Sequence, residues 1–118
     1  MSAEESLLDK EILDENADIG IEGLRELIDM YLAQADEIMS GLQAALQAGE
    51  ADEVKELAHK LAGSSAVCGV NAMVQPLRTM EQRARDRQLD DADAMYAQIV
   101  ESLDLSRRLL AEYLAGKE

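Results

Sequence analysis

His59 is the only histidine in the chain, and the segment around it, Glu50 to Gly69, has helical spacing. At about 100° per residue, Val54, Leu57, Ala58, Leu61, Ser65 and Cys68 share one narrow stripe, the face such a helix buries. His59 lies roughly 150° from the middle of that stripe, so its imidazole is expected in solvent. The residues three, four and seven places on are Ala62, Gly63 and Ala66, a surface of small side chains on which a large partner is expected to dock. An imidazole so placed suits chemistry on a docked protein. A histidine nitrogen can attack phosphorus and hold a phosphoryl group for a time.

Other chemistries fit poorly. His59 and Cys68 are the sole histidine and cysteine and sit on opposite faces of one helix, so no metal site is expected. A bundle-type carboxylate site needs Glu-x-x-His on each of two helices, and Glu56-Leu57-Ala58-His59 supplies only one. Ser64 lies on another face from His59, Ser65 points inward, and no strand precedes Gly63-Ser64-Ser65 to make a nucleophile elbow. No glycine-rich loop leads into a lysine that could cradle ATP phosphates. Gly63 costs its helix about 1 kcal/mol relative to alanine. Close approach of a partner's backbone explains it where it faces solvent beside His59; tight packing on another helix is the competing account.

The elements that must position His59 are helical. A short helix capped by Asp9 carries Ile12 and Leu13 inward, and Asn16 to Gly20 break it. A long helix follows from about Ile21 to Ala48, with Leu24, Leu27, Ile28, Tyr31, Leu32, Ala35, Ile38, Leu42 and Leu46 inward and Gly49 as its stop. The His59 helix is expected to start near Glu50 or Ala51 and to end around Cys68 and Gly69. The next runs from about Asn71, as N-cap, to Arg87, with Met73, Leu77, Met80 and Ala84 inward and a late start or bend at Pro76. The last begins at Asp90 and carries Met95, Ile99, Leu103, Leu110, Tyr113 and Leu114. The expected fold is all-α: an antiparallel four-helix bundle with a short additional N-terminal helix, one domain over residues 1–118.

Composition narrows the partners. A formal charge of −14, from 25 acidic and 11 basic residues, argues against nucleic acid. With three tyrosines and neither phenylalanine nor tryptophan, no base-stacking platform exists. No apolar run is long enough for a membrane span, and the Met-Ser-Ala-Glu-Glu start lacks the features of a secretory signal. One cysteine fits a reducing setting, so a cytoplasmic monomer is expected. The acidic lead after Met1 is expected of a free-standing protein rather than a domain cut from a larger kinase.

Ala58-His59-Lys60-Leu61-Ala62-Gly63-Ser64-Ser65, with Gly69 following, resembles the histidine-containing phosphotransfer (HPt) domain of bacterial and fungal phosphorelays. The family's usual run is His-x-Leu-Lys-Gly-Ser. The likeness extends to the short first helix, the long second, the acidic N-cap before the histidine helix, and Leu77-x-x-Met80-Glu81 on the fourth. It implies that His59 takes a phosphoryl group, on its distal ring nitrogen, from a receiver-domain aspartyl phosphate and passes it to another receiver. The domain would then be a phosphocarrier rather than an ATP-dependent kinase. The implied partners are response-regulator receivers and a hybrid sensor kinase. No cofactor is implied, since magnesium would sit on the receiver.

One departure stands out. The family's lysine three residues after the histidine is Ala62 here. Lys55, one turn before His59, is expected to supply the charge instead, with Lys60 nearby, and a lysine restored at position 62 is expected to help. Glu81 falls where some members place a polar group against the ring; a carboxylate there would hold the proximal N–H. Arg78 and Arg85 flank it at one-turn spacings and could reach phosphate, although an ordinary row of surface ion pairs accounts for them equally well. The rival function is a helical adaptor that binds receivers without phosphotransfer.

Overall fold

Between the two glycines with positive φ at residues 20 and 49, the chain runs as one uninterrupted helix of 28 residues. The computed structural model describes residues 7–117. Helix α1 (Lys10–Asn16) leads through a 3₁₀ turn (Ala17–Ile19) into α2 (Ile21–Ala48). Helices α3 (Ala51–Val67), α4 (Asn71–Arg85) and α5 (Ala92–Lys117) follow, and no strand is present among the described residues. Short connections reverse the chain after each long helix. Helix α2 packs on α3, α3 on α4, α4 on α5, and α5 returns to α2, closing an antiparallel four-helix bundle.

The core is aliphatic. Leu24, Leu42, Leu61, Met73, Leu77, Met80, Ile99 and Leu110 are fully buried, and Met73, Leu77 and Met80 follow one another at four and three residues along α4. Across α2 and α3 one polar pair enters this core: Tyr31 Oη and Ser65 Oγ lie 2.6 Å apart. Burial pushes the Tyr31 phenol up to about 12, so it stays neutral and can donate.

Two ties fix the His59 helix at its C-terminal end. Gly69 turns the chain at φ 76°, and the Val70 N–H donates back to the Ser65 carbonyl at 2.8 Å, a Schellman closure. The Asp9 N–H, at the head of α1, donates to the Gly69 carbonyl at 2.8 Å. A Cβ at residue 69 would stand 2.9 Å from the Asp9 carbonyl oxygen, so this contact has room only for glycine. Asp9 in turn caps α1, accepting from the Ile12 N–H at 3.2 Å.

Several boundaries differ from expectation. Glu50 precedes α3 without a side-chain cap bond. Asn71 is the first residue of α4, not its cap; Val70 holds that position. Pro76 neither delays nor ends α4. The ring costs one backbone hydrogen bond, but Met73, Leu77, Met80 and Ala84 around it are all buried, and that packing holds the helix through the proline. Helix α4 ends at Arg85, because Arg87 adopts φ 58° and Gln88 closes back on the Arg83 carbonyl. Helix α5 begins at Ala92, since the Ala92 N–H bonds the Leu89 carbonyl and folds Asp90 and Asp91 into a turn.

Candidate functional site

Helix α3 presents His59 outward while Ala58, Leu61 and Ala62, around it on the helix, are fully buried. The His59 side chain is 66% exposed. Its backbone is therefore set by core packing and its ring is open. Beside it, α4 carries Arg78, Glu81 and Arg85, one turn apart, along the edge of the stripe that buries Leu77 and Ala84. Glu81 is the buried member, 7% exposed, directly after the fully buried Met80.

The Glu81 carboxylate has three partners. His59 Nδ1 lies 3.0 Å from Oε2, Arg78 Nη1 donates to Oε1 at 3.1 Å, and Arg85 Nη2 donates to Oε2 at 3.0 Å. Burial pushes this carboxyl up, but hydrogen bonds from Arg78 and His59 more than offset it and hold the group below its ordinary value near 4.5. It is ionised at neutral pH.

That charge state decides the tautomer. An ionised carboxylate only accepts hydrogen bonds, so Nδ1 carries the hydrogen and donates it to Glu81. The Nε2 lone pair is left free on the exposed side of the ring. Arg78 Nη1 also comes within 3.3 Å of Nδ1, but a protonated Nδ1 cannot accept from it, so its true acceptor is Glu81.

The small residues near His59 divide. A Cβ added to Gly63 would meet nothing within 4 Å, so no helix of this chain needs the space. Ala66 is half-buried. Ala62 is not a surface residue: it is 0% exposed, which corrects its placement on the docking face. Packing within the bundle closes over that flank of α3. A lysine cannot occupy position 62 without displacing packed side chains.

Lys55 is half-buried and Lys60 exposed. Among the described residues neither forms a hydrogen bond or ion pair, and the structure does not bring them to His59 as it brings Arg78 and Glu81.

One feature of the site escapes a reading of single helices. A shallow groove of about 420 Å³ runs between α2 and α3, bounded by Gly63, Ser64, Val67 and Cys68 on one side and Leu27, Met30, Tyr31 and Gln34 on the other. Met30 and Val67 are 69% and 73% exposed, the two most exposed large apolar side chains described. Their signal was present in the sequence, as apolar residues lying off the buried stripes of α2 and α3. Cys68 is only half-buried, at the foot of this groove, and burial pushes its thiol up.

An exposed histidine held by a carboxylate from the next helix of a four-helix bundle invites comparison with known phosphotransfer proteins. The Hpt domain family matches residues 26–111. This chain is an Hpt domain. The crystal structure of histidine-containing phosphotransfer protein B (HptB) from Pseudomonas aeruginosa PAO1 superposes with a TM-score of 0.87 at 26% sequence identity, covering 97% of each chain. The comparison with curated proteins returned no match. An Hpt domain serves histidine phosphotransfer in phosphorelays, and His59, the chain's only histidine, has an accessible imidazole. No helix among the described residues is long and apolar enough to cross a membrane.

Proposed function

We propose that this Hpt domain accepts a phosphoryl group on His59 Nε2 from a receiver-domain aspartyl phosphate and passes it to the aspartate of another receiver. One observation carries the reading: the Glu81 carboxylate on Nδ1 leaves the Nε2 lone pair facing solvent. In the forward step that lone pair attacks phosphorus, and the phosphorus–oxygen bond to the aspartyl carboxylate breaks. The carboxylate leaves with the electron pair. The ring keeps its Nδ1 hydrogen and becomes cationic, and Glu81 is already in place to stabilise that charge. Return transfer to a second aspartate reverses these bond changes.

Helix rigidity and the buried Glu81 supply positioning, the main contribution a protein can make to phosphoryl transfer. The receiver brings its own aspartate and magnesium, and this domain supplies no metal or cofactor. The groove beside His59 supports docking of a receiver through an apolar surface, with Met30 and Val67 as its exposed anchors and Gly63 permitting close backbone approach. A hybrid sensor kinase is the proposed source of the phosphoryl group. The domain is proposed to act as a cytoplasmic monomer.

Incubation with a phosphorylated receiver tests the reading. Acid-labile, base-stable label should appear on His59 and be absent from His59→Gln, with helix content unchanged because the side chain is exposed. Receiver binding without label would instead make the protein an adaptor.

A further inference from the structure

We propose that Arg78 is a phosphate-binding residue of this site, reaching from α4 to the phosphoryl group on His59 in place of the lysine absent from position 62. The proposal rests on His59 being the phosphoacceptor.

Position decides between the available cations. Ala62 is sealed in the core, so α3 has no place for a cation three residues beyond His59, where the family's lysine stands. Neither Lys55 nor Lys60 forms a side-chain hydrogen bond or ion pair with His59 or Glu81. Arg78 Nη1, by contrast, stands 3.3 Å from the imidazole at Nδ1. No hydrogen bond can hold it there, because Nδ1 spends its hydrogen on Glu81 and has no lone pair to offer. Glu81 Oε1, at 3.1 Å, holds it. The Arg78 side chain is 41% exposed.

Phosphorylation would change the balance of forces on this guanidinium. The ring beside it becomes cationic and repels it, while the phosphoryl group on Nε2, one ring carbon away from Nδ1, brings two negative charges. Guanidinium donors match phosphate oxygens in pairs. Release of Arg78 would not strand Glu81 as an unpaired buried carboxylate, since Arg85 Nη2 and the Nδ1 hydrogen both remain on Oε2. Two arginines on one carboxylate let one of them leave at little cost.

Chemical phosphorylation with potassium phosphoramidate tests this without any receiver. The phosphorus–nitrogen bond of the reagent breaks, Nε2 bonds to phosphorus, and ammonia departs with the electron pair. Arg78→Gln should label about fivefold more slowly than wild type, the effect expected of one partly exposed charge, while Arg78→Lys stays within about twofold. Nitrogen-15 NMR of the imidazole in unphosphorylated Arg78→Gln should still show the hydrogen on Nδ1, which separates phosphate binding from mere support of Glu81. A wild-type rate in Arg78→Gln overturns the proposal. So does a slowing accompanied by a changed tautomer, or an Arg78→Lys rate as low as that of the glutamine variant. If wild type takes no label on His59, the phosphoacceptor reading fails and this proposal falls with it.

Discussion

His59 and Glu81, 22 residues apart on different helices, meet at 3.0 Å, and the meeting determines which imidazole nitrogen keeps its lone pair. A carboxylate that is 7% exposed, ionised and braced by two arginines is a fixed acceptor. The ring donates to it through Nδ1 and presents Nε2 outward. Orientation, tautomer and compensation of the ring charge all come from this one contact.

Glu81→Gln should separate geometry from charge. The amide oxygen can still accept the Nδ1 hydrogen, but it brings no negative charge to the ring cation that forms on transfer. We expect His59 labelling to slow by about tenfold, or roughly 1.4 kcal/mol, with the fold retained. Equal rates would show that the carboxylate only orients the ring.

The same residue gives stability a dependence on acid. Because the folded state holds the Glu81 carboxyl below its ordinary value, its contribution is complete above the unfolded value near 4.5 and is lost as pH falls through the lower folded value. Urea unfolding of wild type and Glu81→Gln should therefore differ most near neutral pH and converge in acid well below 4.5. A difference that grew with acid would reverse the assigned direction of the shift.

Gly63→Gln should raise helix stability by up to about 1 kcal/mol, since the new side chain replaces a poor helix former and meets open space. It should nonetheless weaken receiver binding or transfer by about tenfold, because a long side chain four residues from His59 would stand in the partner's approach. Unchanged transfer would remove the case for close approach at this glycine.

Restoring a lysine at position 62 should do harm rather than good. Ala62 is fully buried, so Ala62→Lys should cost about 2–4 kcal/mol of stability through overpacking and an unpaired charge. Lys55→Ala, at a residue without an ion-pair partner among those described, should stay within about 0.5 kcal/mol. Denaturant midpoints of the two variants measure both effects.

Met30→Asp and Val67→Asp probe the groove. Both side chains are largely exposed, so stability should change by no more than about 0.5 kcal/mol. Receiver affinity, measured by calorimetry, should fall by about tenfold for each if these residues anchor the partner. Wild-type affinity in both variants would place docking elsewhere.

The sequence by itself determined the helices and the outward direction of His59. Spacing of Leu24, Ile28, Tyr31, Ala35, Ile38 and Leu42 marked the buried face of α2, and Gly49 its end, because both are local properties of a helix and its cap. His59 read as exposed for the same reason: its angle from the Val54, Ala58 and Leu61 stripe is fixed by helical geometry alone. Ala62 shows where that reasoning stops. It flanks the same stripe, and one helix cannot say how wide a face its neighbours will cover; here they cover Ala62 completely. Pro76 shows it again, since burial of Met73 and Leu77 on either side outweighs a local penalty that the sequence alone makes visible. Tertiary structure alone decided that Glu81 reaches Nδ1, that Arg78 stands against the ring, and that Met30 and Val67 line one groove. Each of these joins residues on different helices, and the rotation of one helix against another is set by the packing of the whole core.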